Sequence, residues 1–269
     1  MKIRKAPPLR YRLAMKVYQA ALALLDPLVW RYFRRRGHLD PDYLAHWDER
    51  TGQGERFHAD VWVHAVSLGE FRSAEPCLRR IVEAGHSVVL THATPAGRRA
   101  SEAVFADELR AGRMVVRYAP IDRERHWQNF FKTYTPRLGL VFEMEFWPGM
   151  FEAAVGANVP LWLVNSQVPE KSLPRANRVR SFLGTHPVAR VERVLAKSER
   201  MAERFRALGA GDVSVMGETR FDIPPPPEQI EAGKTLRSRL ASRPVYTFAS
   251  VVAGEEETYL EAVLSMPDA

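Results

Sequence analysis

The stretch Val61-Trp62-Val63-His64-Ala65-Val66-Ser67-Leu68-Gly69-Glu70 decides the fold. Its apolar run reads as a buried strand, and Phe71, Ala74, Leu78 and Ile81 then recur at intervals of three and four, the spacing of a helix with one buried face. A strand that feeds a helix through a small polar turn is the entry unit of an α/β sheet, where chemistry gathers at the carboxyl ends of the strands. Glu70 falls in the first helical turn. Two readings of it stay open: Ser67-x-x-Glu70 is a capping box whose carboxylate serves a backbone N–H, and it also delivers a candidate catalytic carboxylate to the sheet edge.

Further short β-branched runs alternate with helical stretches: His86 to Thr91, Met114 to Tyr118, Leu138 to Phe142, Leu161 to Asn165, Arg193 to Ala196 and Val213 to Met216. With Val61 to Val66 they predict a parallel, doubly wound sheet covered on both faces. Helix starts lie at Thr94-Pro95 and at Asp122, ahead of Trp127, Phe130, Phe131 and Tyr134. Pro224 to Pro227 break the rhythm and read as a linker. Beyond it a helix (Glu228 to Leu240), a strand (Val245 to Ala249) and a helix (Glu255 to Leu264) are expected, too few residues for an independent α/β domain. The expected division is a membrane-associating segment at 1–36, a Rossmann-like domain at 37–222, and the linker with the start of a second α/β domain at 223–269.

Of the 269 residues, 46% are hydrophobic and 26% charged, the balance of a globular chain rather than a disordered one. A net charge of +7 and a pI near 9.7 favour anionic partners: nucleic acid, acidic lipid or a phosphorylated substrate. No recognised nucleic-acid module accompanies that charge, which argues against nucleic acid. The single cysteine, Cys77, excludes an intramolecular disulfide and reads as core packing. Leu13 to Phe33 is apolar and aromatic, flanked by basic residues and interrupted by Lys16, Gln19, Asp26 and Pro27. This pattern predicts an amphipathic helix lying in an anionic membrane surface rather than one crossing it. A helix packed on the protein's own surface is the alternative; a cleaved signal peptide fits less well, because the apolar core Ala20 to Leu25 is short.

The other strand ends are also polar or small: Thr91-His92-Ala93-Thr94-Pro95-Ala96-Gly97, Glu143-Met144-Glu145-Phe146-Trp147-Pro148, Asn165-Ser166 and Lys197-Ser198-Glu199. A parallel sheet brings them to one edge. Glu143 and Glu145 place acids there; the alternative is that one serves backbone N–H groups while the other pairs with an arginine or with water. Lys171, Ser172, Arg175, Arg178 and Arg180 form either a solvated basic face or a phosphate holder. No G-x-G-x-x-G follows the first strand and no P-loop occurs. His64, His86, His92 and His126 lack metal-ligand spacing, and Asp40-Pro41-Asp42 reads as a helix opening, so neither cofactor nor metal is expected.

Taken in order, these turns, with His46-Trp47-Asp48-Glu49-Arg50, Glu170-Lys171-Ser172, Ala196-Lys197-Ser198-Glu199 and Gly217 to Asp222, resemble the 3-deoxy-D-manno-octulosonic acid (Kdo) transferases of Gram-negative bacteria. The resemblance extends from the apolar N-terminal segment to about Glu257. It implies a two-domain glycosyltransferase of the GT-B type at the cytoplasmic face of the inner membrane. Such an enzyme moves Kdo from CMP-Kdo to a lipid A precursor (lipid IVA), without metal or cofactor, in lipopolysaccharide synthesis. Glu70 would be the general base of an inverting transfer, with Ser67, Gly69, Thr94, Gly97, Glu143, Glu145, Asn165, Lys171, Ser172 and Arg220 on the substrates and Ser250, Gly254, Glu255 and Glu256 on the donor. Two departures stand out. Ser250-Val251-Val252-Ala253 precedes Gly254-Glu255-Glu256 where the family has Ser-Thr-His, and Arg220 stands where a lysine is usual. A non-catalytic, membrane-bound binding protein on the same scaffold is the competing class.

Overall fold

Trp62 and Val89 point to one face of a sheet, and Val61, Val63, Val88 and Leu90 to the other, each face closed by its own apolar cluster. The computed structural model describes residues 6–143, 145–240 and 244–266; Lys2, Arg4 and Lys5 of the basic flank and Met144 of the acidic turn lie outside them. The chain divides into two units, Met1–Asp222 and Ile223–Ala269.

In the first unit, seven parallel strands run in the order β3-β2-β1-β4-β5-β6-β7: β1 (Val61–His64), β2 (Val88–His92), β3 (Met114–Tyr118), β4 (Leu138–Phe142), β5 (Leu161–Ser166), β6 (Arg193–Ala196) and β7 (Val213–Val215). All seven expected strands are present. Helices α2 (Leu68–Glu83), α3 (Pro95–Val104) and α4 (Ala106–Arg110) adjoin the strands with Phe71, Leu78, Val104 and Leu109, joined by Phe105 between α3 and α4, and α5 (Glu124–Tyr134), α6 (Pro148–Gly156) and α8 (Glu199–Leu208) bring Trp127, Phe130, Phe151 and Phe205 to the opposite cluster. Gly139 makes this packing possible: a Cβ there would sit 2.7 Å from the Trp62 ring and 2.5 Å from Leu161. The open edge at β3 is closed by the turn Trp47–Thr51, where Glu49 accepts from Tyr118 N–H at 2.7 Å and from Arg98 at 2.6 Å.

Asp122 does not open the helix that carries Trp127, as its position in sequence suggests. That helix starts at Glu124, and Asp122 instead accepts from Gly149 N–H (3.1 Å) and Met150 N–H (2.8 Å), capping α6. The first-turn N–H groups of α6 have no partner within their own helix, and Trp147, the residue before it, provides no cap.

The N-terminal apolar segment forms one helix, α1 (Leu9–Gly37), long and apolar enough to cross a bilayer. Its inner face is tied to the sheet domain by polar groups. Tyr11 donates to Glu152 (2.8 Å), which also receives Arg190; Tyr18 donates to Asp122 (2.9 Å); Asp26 pairs with Arg123; and Gln19 accepts from Glu124 N–H (2.9 Å). Leu9, Leu13, Val17, Leu24 and Leu28 face outward. Helix α7 (Leu173–Leu183) lies beside α1.

The second unit contains α9 (Pro227–Arg239), which starts on the last of the four prolines, and α10 (Glu256–Leu264). Val245–Ala249 was expected as a strand and is not one. A strand needs a neighbour to satisfy its N–H and C=O groups, and no strand lies among the described residues of this unit.

Candidate active site at the sheet switch point

The strand order reverses between β1 and β4, and in open α/β sheets the carboxyl ends of such a pair diverge to leave a crevice. The turn after β1 delivers Ser67 and Glu70; the turn after β4 delivers Glu143 and Glu145.

Ser67 is extended and its hydroxyl accepts from Glu70 N–H at 3.4 Å, so the capping box forms. It forms in a lengthened version. Glu70 Oε2 accepts from Val66 N–H at 2.6 Å, one residue before the cap, while Oε1 has only a long 3.4 Å bond from Ser67 Oγ. Cap and chemistry therefore do not compete, because one oxygen anchors the side chain and the other retains lone pairs. Burial pushes the Glu70 carboxyl up to about 7; the Val66 N–H opposes that shift and the nearby charge of Glu143 adds to it. Burial, with the charge of Glu70, also pushes Glu145 up to about 7 against a hydrogen bond from Trp147. A carboxylate that is partly charged at neutral pH is the form a general base requires.

Glu143 and Asn165 both adopt left-handed backbone conformations (φ 61° and 53°). This is uncommon outside glycine, and for Glu it is strain that surrounding bonds must hold. Those bonds are present. Ser166 Oγ donates to Glu143 O (2.7 Å), Asn165 Nδ2 reaches Glu143 (2.8 Å) and Glu218 (2.9 Å), and Lys197 Nζ lies 2.8 Å from a carboxylate oxygen of each. From the turn Thr219–Asp222, Arg220 Nε donates to Ser73 Oγ on α2 at 3.0 Å, one helical turn past Glu70. Sequence reading placed Lys197 at a strand end without giving it a role, and missed Glu218. The signal was the Ala196-Lys197 strand end facing the Gly217 to Asp222 turn, a pairing across strands.

Thr94 caps α3 through Gly97 N–H, and a Cβ on Gly97 would lie 3.0 Å from His92 Nδ1 and 3.3 Å from the Ser67 carbonyl carbon, so the amino ends of α2 and α3 are packed together. His92 bonds Ala65 O (2.6 Å) and Ser101 (2.9 Å), and burial holds it down at about 4; His64, bonded to Thr91 (2.8 Å), is held at about 3 by burial. Both are neutral structural histidines. His64 also packs edge-on against Trp147, 5.1 Å between centroids, which supports the turn carrying Glu145.

The structure thus gathers Ser67, Gly69, Glu70, Thr94, Gly97, Glu143, Glu145, Asn165 and Arg220 along the carboxyl edge of the sheet. Lys171 and Ser172 stand on a short turn before α7, and among the described residues no hydrogen bond or ion pair joins them to this group. Ser250, Gly254, Glu255 and Glu256 belong to the second unit, where Glu255 accepts from Val252 N–H (3.1 Å) and Glu256 from Gly254 N–H (2.7 Å). No cluster of three or more metal-ligating side chains occurs among the described residues.

Residues 45–223 match the family model of 3-deoxy-D-manno-octulosonic-acid transferase (kdotransferase). The 3-deoxy-D-manno-octulosonic acid transferase of Bordetella pertussis is 34% identical over 253 residues, 92% of this chain and 59% of the relative. That of Haemophilus influenzae is 24% identical over 258 residues, 91% of this chain and 58% of the relative. The chain therefore spans under two thirds of these relatives' length. A solved UDP-N-acetylglucosamine 2-epimerase aligns with TM-score 0.44 at 11% identity, over 77% of this chain and 67% of that one.

Proposed function

The chain belongs to the 3-deoxy-D-manno-octulosonic-acid (Kdo) transferase family, and on that premise we propose that it is the acceptor-binding part of a GT-B type glycosyltransferase that moves Kdo from CMP-Kdo to the lipid A precursor lipid IVA. The observation that carries this reading is Glu70, placed at the switch point of the sheet with a proton affinity near neutrality. Glu70 takes the proton of the acceptor hydroxyl as that oxygen attacks the anomeric carbon; the bond from that carbon to the CMP phosphate breaks, CMP leaves from the opposite face, and the configuration inverts. Neither metal nor cofactor takes part. A positioned carboxylate contributes about 10²–10⁴-fold to such a step.

The acceptor's phosphates would meet Arg220, which is 58% exposed beyond its bond to Ser73, and the N–H groups of Ser67 and Gly69 at the amino end of α2, with Thr94 and Gly97 shaping the adjoining amino end of α3. Ser250, Gly254, Glu255 and Glu256 remain the donor-side residues of the second unit. The outward leucines of α1 and Phe182 of α7, with Arg10, Lys16, Arg31, Lys171, Arg175 and Arg178 nearby in sequence, suit an anionic bilayer, here the cytoplasmic face of the inner membrane. Lys171 and Ser172 then serve the membrane surface rather than the sugar.

One observation favours the second reading, a binding protein without transfer: Val251 and Val252 occupy the places of a hydroxyl and a histidine. Kdo transfer by the full-length parent, from freshly made CMP-Kdo to lipid IVA, separates the two. Product formation supports the enzyme; a folded parent that binds lipid IVA without forming product supports the binding protein.

A further inference from the structure

The charges behind Glu70 form one network rather than separate pairs. Lys197, 12% exposed at the end of β6, lies 2.8 Å from Glu143 Oε2 and 2.8 Å from Glu218 Oε2. Asn165 donates from Nδ2 to the same two carboxylates, and its Oδ1 accepts from Thr219 N–H at 3.3 Å. These bonds fix the turn whose Arg220 reaches Ser73 on the Glu70 helix, with its Nη2 3.8 Å from Glu143. The charged groups facing Glu143 are thus Lys197, Glu218, Arg220 and Glu70, with Glu145 beyond Glu70.

We propose that Lys197, paired with Glu218, is a positioning residue for the reaction at Glu70: it pins the Arg220 turn to the shoulder of α2 and balances the acids that face the base. This rests on the reading of Glu70 as that base. Glu143 and Glu218 stand against two cations, Lys197 and Arg220, so the cluster is balanced. Without Lys197 it carries one excess negative charge in a poorly solvated site, and without Glu218 one excess positive charge. Removing both restores the balance. Because the charge of Glu143 already bears on Glu70, these three cases should move the proton affinity of the base up, down and back.

The test uses the full-length parent with Lys197→Gln, Glu218→Asn, the double variant, and Lys197→Arg, which keeps the charge. Lipid IVA transfer is followed across pH 5 to 9, with thermal melts as the control for folding. The expected result is a rising limb of kcat/KM displaced upward by about half a pH unit or more in Lys197→Gln, displaced downward in Glu218→Asn, and near the parent in the double variant and in Lys197→Arg. A merely structural pair would lower melting temperatures without this reversal of sign. The inference is overturned if both single variants shift the limb in the same direction or leave it in place. Should Lys197→Gln fail to fold, Glu218→Asn and the double variant still decide the sign. A well-folded parent that is inactive would instead defeat the proposed function and this role with it, an outcome distinct from an active parent whose limb does not move.

Discussion

Glu70 Oε2 accepts the Val66 N–H at 2.6 Å, a bond that reaches back one residue beyond the helix cap. That single contact fixes the carboxylate at the switch point between β1 and β4 while leaving Oε1 lightly bonded. It turns a helix start into a carboxylate fixed in place, the group that the proposed function uses as its base.

The raised proton affinity of Glu70 has a cost in stability with a definite sign. Below the ordinary value of 4.5 the folded and unfolded chains both hold the proton, and nothing is lost. Between 4.5 and about 7 the unfolded chain ionises first, so stability falls as pH rises, and the loss is complete above 7. Glu70→Gln should therefore stabilise the protein at pH 8, by up to about 3 kcal/mol, and have little effect near pH 4. Thermal melts at both pH values check this; a difference independent of pH would show that the carboxylate is not held protonated.

Gly139→Ala should destabilise the sheet domain by about 1–3 kcal/mol, because the new methyl meets the Trp62 ring and Leu161 in a filled core. Urea midpoints of the two proteins measure it, and an unchanged midpoint would mean that the core has slack at this point.

Asp122→Ala removes the acceptor of two α6 N–H groups and of Tyr18 at once. A loss of about 1–3 kcal/mol is expected from the uncapped helix and the orphaned donors. Asp122→Asn should recover only part of it, since Met150 N–H is held by Oδ1 while Gly149 N–H and Tyr18 are held by Oδ2, and an amide has one acceptor oxygen to cover both positions.

The seven strands were legible because each is a short run rich in branched or apolar residues, and most are buried on both faces, a pattern that survives without knowing the neighbours. The strand order was not spelled out by any one segment, yet it decides that Glu70 and Glu143 face the same crevice. Asp122 misled because a cap was sought for the nearest helix in sequence, whereas its partner is α6, reached only through the fold. Val245 to Ala249 has the composition of a strand and no strand partner among the described residues of its unit. Lys197 and Glu218 escaped because an ion pair between two strand ends has no local period.

Outward apolar residues of α1 should bind membrane without supporting the fold. Leu13→Asp together with Leu24→Asp should weaken sedimentation with anionic vesicles at least about tenfold, since each places a charge where an apolar side chain would enter the lipid. Both sites are exposed, at 53% and 81%, so melting temperatures should hold. A large fall in melting temperature would point to an intramolecular role for that face.

The most direct test of the account is Kdo transfer by the full-length parent against its Glu70→Gln variant, each as a pH profile of kcat/KM. The account predicts a parent whose activity rises through about pH 7 and a folded variant slower by about a hundredfold or more. A variant that keeps the parent's rate and its rising limb would contradict it, and Glu70 would then be a helix cap alone.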